Sequence, residues 1–232
     1  MYFQHSSDLW ADYPELVAGA VFASGISADA DVEAQVAEFT AIAEVRLAAG
    51  PVAEFPEIRA WRRAFSRMGL KPTQYRCAAE ALLRRFGKEG ALPRIHPLID
   101  LCNAISVAYA IPVAALDVDK IDGRVEVRYA TGDESYLTFA GETEHPAAGE
   151  VIFADAGGRS HARRWTNRQS GHSAVRDGTT DVLIVAEALH ASADTDIPRL
   201  TATLAHELAG RWQVKPATAV LTRSAPRFDF AR

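Results

Sequence analysis

The sequence predicts an α+β protein in which helices cover a largely antiparallel sheet. Helical periodicity, with apolar residues three and four apart, fills residues 31–109 and returns once near the end of the chain. From Gly123 onwards the pattern changes to strict alternation, and successive strands are separated by glycine turns, which indicates hairpins. With 232 residues, of which 48% are hydrophobic, the chain can bury one large core or two closely joined ones.

The helices are defined by their apolar faces and by proline or glycine at their ends. We expect helices over residues 31–49, from Pro56 onwards, and over residues 74–86. A further helix should begin at Pro97, whose missing N–H costs nothing at that position, and stop at Pro112. Its polar residues Asp100, Asn103 and Ser106 share one stripe, which either faces a pocket or is solvated.

The strands follow in order along the chain. Residues 16–23 have strand character, residues 113–116 read as an apolar turn, and residues 125–129 alternate as a strand whose hairpin partner should be 134–139. A second hairpin joins 150–155 to 159–165. Residues 181–188 are apolar on both faces and therefore predict a central strand. A helix from Asp196 to Trp212 and a strand over 217–222 complete the chain.

The net charge is small, but its distribution is uneven. The chain carries 25 basic and 30 acidic residues, a net of −5, which argues against a protein that coats nucleic acid non-specifically. Residues 59–94 hold ten basic and two acidic side chains, a net of +8, which leaves −13 for the remainder. The basic segment either meets phosphates or forms ordinary solvated helix faces.

Composition and motifs exclude several classes of function. The two cysteines, Cys77 and Cys102, lie in apolar helical patterns, so we expect reduced thiols, no disulfide and no zinc site. No signal segment or membrane-spanning run is evident, and a cytoplasmic protein without membrane contact or cofactor is expected. His206 and Glu207 begin an HExxH look-alike whose second ligand position is Gly210. No phosphate-binding glycine loop and no nucleophile elbow are present.

The polar loop after the second hairpin has the composition of a binding site. Residues 163–173 combine arginines that suit phosphates, a tryptophan face that suits stacking, and several directional hydrogen-bonding side chains. His161 and His172 lie close to this loop in sequence, and either can shuttle protons at neutral pH or serve the structure. The other interpretation of the loop is a surface connection with Trp165 in the core and solvated arginines.

Three groups of residues, in this order and spacing, resemble the B3/B4 domain of the phenylalanyl-tRNA synthetase beta subunit. They are Ile99–Asn103 with Ile111, Pro112, Leu116, Asp117, Asp119, Ile121 and Gly123; Gly149–Asp155; and Thr179–Leu183. The resemblance covers residues 72–189. It implies a layered B3/B4-like core domain over 72–232, with residues 1–71 as an N-terminal extension packed on that core.

The resemblance implies a function in translation fidelity. In the synthetase this domain hydrolyses the ester of tyrosine mischarged to phenylalanine tRNA, and it uses water rather than a protein nucleophile. A free-standing copy is therefore expected to be a trans-editing aminoacyl-tRNA deacylase whose partner is a misacylated tRNA; no protein partner is indicated. The alternatives are a non-catalytic tRNA- or RNA-binding module and a protein that binds small amino-acid derivatives.

The site predicted from the loop and the resemblance lies between the Asn103 helix and residues 165–173. The residues predicted to act in catalysis are Asn103, Gln169, Ser170, His172 and Thr180. The residues predicted to bind substrate or RNA are Arg76, Arg94, Arg163, Arg164, Trp165, Arg168 and Ser173. Two positions depart from the synthetase pattern: Ala114 replaces a histidine, and Gly171 replaces a glutamate. Editing of tyrosine is therefore not expected, and the substrate is left as another misacylated tRNA or none.

Overall fold

The computed structural model describes residues 1–231, and within them it contains twelve β-strands and six α-helices. The strands are β1 (Tyr2–His5), β2 (Val17–Ser24), β3 (Val113–Asp117), β4 (Arg124–Tyr129), β5 (Tyr136–Leu137), β6 (Thr143–Glu144), β7 (Val151–Asp155), β8 (Ser160–Arg163), β9 (Arg168–Gln169), β10 (Asp181–Ala188), β11 (Ala217–Leu221) and β12 (Arg227–Asp229). The helices are α1 (Ser7–Asp12), α2 (Glu33–Ala49), α3 (Pro56–Arg67), α4 (Ala78–Glu89), α5 (Pro97–Tyr109) and α6 (Ala193–Trp212).

The strands form two main sheets rather than the one sheet that the sequence suggested. The larger has the order β12-β1-β4-β7-β8-β9, and the smaller has the order β11-β2-β10-β3. Every pairing within them is antiparallel except β1 with β4, which run parallel. The α+β class with mainly antiparallel strands is therefore confirmed, and β10 is central in its sheet as predicted.

Strands β2 and β10 of the smaller sheet are buried on both faces, which explains why residues 182–186 of β10 are all apolar. Leu183 and Val185 belong to the core shared with the larger sheet, α3 and α4, whereas Val182, Ile184 and Ala186 pack with α5 and α6. Alternate residues of a strand point to opposite faces, so the two cores follow directly from the register. The space between the two sheets is where the candidate site lies.

Helix α5 has the boundaries that its prolines predicted. Pro97 stands at its first position, and Ala110 ends it in the left-handed region with φ of 56°. Ser106 Oγ donates to the carbonyl of Ile111 over 2.7 Å, so this member of the polar stripe secures the helix end. The helix then leads through Pro112 directly into β3.

Two local predictions were wrong. Residues 113–116 were expected to be a turn, but they lie in β3, which pairs with β10 because its apolar residues complete that sheet. Strand β4 was expected to pair with residues 134–139; it pairs instead with β7 and β1, and the short β5 pairs with β6. Glu134 accepts the N–H groups of Thr131 and Gly132 and so turns the chain away from β4.

The N-terminal segment contributes strands to both sheets. Strand β1 lies between β12 and β4, and β2 lies between β11 and β10. The division of the chain at residue 71 stays a prediction. Cys77 and Cys102 are buried free thiols, and burial raises the pKa of each to about 12, so neither is a ready nucleophile at neutral pH.

Candidate functional site

A small cavity lies where the two sheets face each other. Phe153 and Ala162 from the larger sheet and Ala114 and Val185 from the smaller one form much of its apolar wall. Its volume is about 60 Å³, enough for roughly four water molecules or one small side chain. Residues 165–169 close one side, so the cavity is apolar on the sheets and polar at this turn.

The turn is held in an uncommon backbone conformation. Arg164 and Trp165 are consecutive left-handed residues with φ of 48° and 58°, a state that costs non-glycine residues about 1–2 kcal/mol each. Glu150 offsets this cost by accepting the Arg164 N–H over 3.0 Å and the Nε and Nη2 of Arg163 over 2.9 Å each. Burial alone would raise the pKa of Glu150, but these bonds lower it below its ordinary value.

The rest of the turn is tied to the elements on either side of it. The carbonyl of Thr166 accepts the N–H of Ala78 over 2.8 Å at the start of α4, where helical N–H groups lack partners. Asn167 Nδ2 donates to the carbonyl of Arg76 over 2.8 Å. Gln169 Nε2 donates to the carbonyl of Ala115 over 2.8 Å. The amide of Gln169 is therefore held in a fixed orientation beside β3.

A buried carboxylate lines the cavity, and sequence reasoning missed it. Glu187 is 2% exposed, and its Oε1 accepts Trp165 Nε1 over 2.8 Å and lies 2.6 Å from His5 Nε2. Both contacts use Oε1, so they fill half of the hydrogen-bond acceptor sites of this carboxylate. The alternation along β10 could have revealed it, because Glu187 lies on the same buried face as Leu183 and Val185. Its partner His5 could not have been found, because it is too distant in sequence for any spacing to connect the two residues.

Arginines surround the turn on its outer side. Arg168 Nη1 lies 3.7 Å from Glu144 Oε2, and the Arg164 guanidinium stacks over Tyr75 at 4.9 Å. Arg76 Nε lies 3.6 Å from the buried Glu80, which also pairs with Arg62 and Arg84. Three guanidinium groups around one carboxylate leave a positive excess. We call Arg76, Arg164 and Arg168 the basic rim.

The structure brings some of the predicted site residues to this cavity, and it buries the side chains of two residues that were predicted to bind substrate or RNA. Arg168, Gln169 and Trp165 line it. Trp165 has no exposed surface and packs edge-on against Tyr13 and Trp61 at 4.9 Å each, so the stacking face expected for a nucleobase is buried in the core. Arg163 is 6% exposed and pairs with Glu144 and Glu150, so its guanidinium has no free face for a phosphate.

The predicted residues Ser170, His172 and Ser173 do not line the cavity. Ser170 Oγ donates to the carbonyl of Leu137 over 2.9 Å, and it also accepts the N–H of His172 over 3.1 Å. Burial lowers the pKa of His172, and the nearby His161 and Arg159 lower it further. Ser170 therefore secures this loop to the carbonyl of Leu137 in β5.

Ser173 belongs to a buried chain of three polar side chains. His161 Nδ1 lies 2.9 Å from Ser173 Oγ, and its Nε2 lies 3.2 Å from Asp155 Oδ2. Burial alone would raise the pKa of Asp155, but hydrogen bonds from His161 and from the N–H groups of Arg159 and Asp122 lower it to about 2. Ser173 and His161 have no exposed surface, so this serine is closed to an ester substrate.

The three remaining predicted residues lie away from the cavity. Asn103 is on α5 and is not part of the cavity wall. Thr180 is exposed at the start of β10, and its carbonyl accepts the N–H groups of Gly25 and Ile26 over 3.0 Å each. Arg94 is exposed beside Glu33, with Nη2 3.3 Å from Oε1. The structure therefore does not bring these residues together with Gln169.

The two departures from the synthetase pattern have different structural settings. Ala114 lines the cavity, so a smaller side chain there directly changes the wall. At Gly171 a Cβ atom would lie 2.9 Å from the carbonyl oxygen of Thr138, because the N–H of Gly171 bonds to Leu137 and draws the two loops together. A glutamate does not fit at residue 171 without moving that backbone.

Residues 1–231 contain neither a metal-binding cluster nor a helix that could cross a membrane. No cluster of three or more histidine, cysteine or acidic side chains is placed to hold a metal ion. Within the same residues, no helix has the length and apolar content needed to cross a membrane.

The fold and the cavity define an α+β domain with a small ligand-sized cleft between two sheets. The model of the B3/4 domain family matches residues 60–199, so the chain belongs to that family. Among solved structures it is similar to an N-terminal fragment of the phenylalanyl-tRNA synthetase beta subunit from Pyrococcus horikoshii, with 11% identity and a TM-score of 0.48 over 92% of this chain and 49% of that one. The chain thus spans about half the length of that fragment. A comparison with curated proteins finds no match.

Proposed function

We propose that this protein is a trans-acting aminoacyl-tRNA deacylase that hydrolyses the ester of a misacylated tRNA with a positioned water. The observation that carries the proposal is the order in which apolar, neutral polar and basic groups are arranged around the turn 165–169. An apolar cavity for an amino-acid side chain lies on its inner side, neutral polar groups lie on it, and the basic rim lies outside. An aminoacyl ester at the end of a tRNA presents a side chain, a carbonyl and phosphates in the same order.

The cavity wall favours water as the attacking group. Within residues 1–231, no serine or cysteine lines the cavity, and its hydroxyl comes from Thr166. In the proposed reaction the water oxygen bonds to the ester carbon, the bond from that carbon to the ribose oxygen breaks, and the ribose oxygen takes up the proton that the water gives up. The fixed amide of Gln169 is suited to orient the water, because its Nε2 is already anchored on Ala115.

The experiment is a deacylation assay with a panel of tRNAs, each charged with one correct or incorrect amino acid. We expect at least one misacylated tRNA to lose its amino acid faster than the spontaneous rate, and we expect Gln169→Ala to lose this acceleration while staying folded. Survival of every ester in the panel at the spontaneous rate would sink the proposal.

A non-catalytic RNA-binding module is the second candidate, and one observation favours it. Among the described residues the cavity wall contains no histidine, and its one carboxylate already accepts two hydrogen bonds. Both bonds fall on Oε1, so within residues 1–231 Oε2 of Glu187 is the one group of the cavity wall left to act as a general base. The module predicts salt-sensitive tRNA binding without turnover, whereas a binding protein for free amino-acid derivatives predicts no shift of bulk tRNA at either of two salt concentrations.

A further inference from the structure

We propose that the cavity selects a small amino acid with a side-chain hydroxyl, and that Glu187 and Thr166 are the residues that recognise it. This inference rests on the proposed function for the identity of the ligand as an aminoacyl group. It is carried by the volume of the cavity and by two residues of its wall, Glu187 and Thr166, each of which has a side-chain oxygen without a hydrogen-bond partner within residues 1–231.

The volume limits the side chain. An apolar cavity of about 150 Å³ accepts a benzene ring, whereas this cavity measures about 60 Å³. The ring of tyrosine or phenylalanine therefore does not fit between Phe153 and Ala114. The side chains of serine, threonine and alanine are small enough.

The first unpartnered atom belongs to Glu187. Its Oε1 takes both donors, Trp165 Nε1 and His5 Nε2, and no residue within 1–231 donates to Oε2. Glu187 as a whole is 2% exposed, but Oε2 is not among the fully buried atoms without a partner, so a water or a ligand in the cavity can reach this oxygen and donate to it. Whatever fills the cavity is therefore expected to bring a hydrogen-bond donor to Glu187.

The second unpartnered atom is Thr166 Oγ1, which is buried and makes no hydrogen bond within the described chain. A threonine hydroxyl both donates and accepts. A ligand hydroxyl needs one acceptor and one donor, and Glu187 Oε2 with Thr166 Oγ1 provides that set. An ammonium group has three hydrogens to place and matches these two atoms less well. The numbers of donors and acceptors therefore favour a hydroxyl-bearing side chain, rather than the α-ammonium group, as the part of the ligand that enters the cavity.

The test measures binding without turnover, so that it does not depend on catalysis. Amide-linked analogues of 3′-aminoacyl adenosine resist hydrolysis, and two pairs differ only in the hydroxyl: seryl against alanyl, and threonyl against valyl. By calorimetry we expect the hydroxyl-bearing member of each pair to bind at least about tenfold tighter. Equal affinities within both pairs, or no binding by any analogue, overturn the inference.

Variants locate the preference. Thr166→Val keeps the shape and removes the hydroxyl, and Glu187→Gln keeps an acceptor for Trp165 and removes the charge. We expect each to reduce the preference for seryl over alanyl at least about threefold, while the exposed Thr218→Val on β11 leaves it unchanged. If Glu187→Gln fails to fold, Thr166→Val still decides the result, because a preference that survives it overturns the inference.

Three further outcomes are decisive: the first tests the inference alone, and the other two separate it from the proposed function. If acetylation of the α-amino group abolishes binding of all four analogues equally, Glu187 holds the ammonium and the inference is wrong. If the analogues bind with the expected preference but no ester in the tRNA panel is hydrolysed, the ligand assignment stands and the deacylase proposal fails. If seryl and alanyl esters are hydrolysed equally well, the deacylase proposal stands and the inference fails.

Discussion

Trp165 Nε1 donates to Glu187 Oε1 over 2.8 Å, and this bond joins the turn at residues 164–169 to the central strand of the smaller sheet. Trp165 reaches that position because two consecutive left-handed residues point its indole inwards, between Tyr13 and Trp61. The same bond fixes the carboxylate that lines the cavity. Packing and recognition therefore depend on one side chain.

We expect Trp165→Phe to lower the free energy of unfolding by about 1–3 kcal/mol, because Glu187 loses a donor in a buried place. Urea unfolding followed by circular dichroism measures the change. Trp212→Phe is the matched control: its Nε1 donates to the carbonyl of Ser27 over 2.9 Å at a half-buried position, so water can replace the donor. Equal losses for both variants would mean that burial of Glu187 does not matter.

Deacylation should distinguish the cavity wall from the α5 helix. We expect Gln169→Ala to reduce the rate of ester hydrolysis about 100-fold, the usual size of a lost positioning or donor contact. Asn103→Ala should leave the rate within about twofold, because a residue outside the cavity wall makes no contact with the reacting ester. A loss of activity in Asn103→Ala with Gln169→Ala unaffected would instead place the site on α5, which is one of the two walls that the sequence predicted.

Binding of tRNA should report on the basic rim. We expect Arg164→Ala and Arg168→Ala each to weaken binding and to flatten the plot of log affinity against log salt by about 0.7–0.9. Arg94→Ala is the control, since Arg94 is exposed beside Glu33 and lies away from the cavity. Filter binding between two salt concentrations gives the slopes. An effect of Arg94→Ala as large as that of Arg168→Ala would move the RNA surface to the start of α5.

The elements that local chemistry determines were predictable from the sequence. Pro97 and Pro112 bracket α5 because proline fixes the backbone, and β10 is central because both of its faces are apolar. The pairing of β4 was not predictable from local pattern. Its partner β7 is remote in sequence, and the nearer candidate is diverted by hydrogen bonds from Thr131 and Gly132 to Glu134.

The candidate site also has one part that local sequence predicts and another part that only the tertiary structure reveals. The turn at residues 164–169 was identifiable from its composition, because arginine, tryptophan and glutamine are seldom gathered without a role. Glu187 and His5 meet through tertiary structure alone, from two different sheets. Nor can composition tell whether Arg163 faces solvent, since its two partners, Glu144 and Glu150, come from other elements.

Stability at acid pH should depend on Asp155. Hydrogen bonds hold the pKa of this buried carboxyl at about 2 in the folded state, below its ordinary value of 3.8. A lowered folded-state pKa contributes stability that is complete above the unfolded value and is lost as the pH falls towards the folded one. We expect about 2 kcal/mol of the free energy of unfolding to disappear between about pH 5 and pH 2 for this group. Urea titrations across that range should show that the free energy of unfolding declines less steeply with falling pH in Asp155→Asn. The control Asp133→Asn, at an exposed residue, should decline as the parent protein does.

Gly171 and Gly178 lie in one loop, and we expect a loss of stability when alanine replaces Gly171 but almost no change when it replaces Gly178. At Gly171 the new Cβ would lie 2.9 Å from the carbonyl oxygen of Thr138, and backbone must move to relieve it. The expected loss is about 1–3 kcal/mol in the free energy of unfolding. At Gly178 a Cβ meets nothing within 4 Å, so its alanine variant should stay within about 0.5 kcal/mol of the parent. Chemical denaturation measures both.

If Gly171→Ala is as stable as Gly178→Ala, steric exclusion is not the reason that a glutamate is missing at residue 171. In that case Gly171→Glu, combined with Ala114→His, becomes the variant in which tyrosine-tRNA deacylation should be sought.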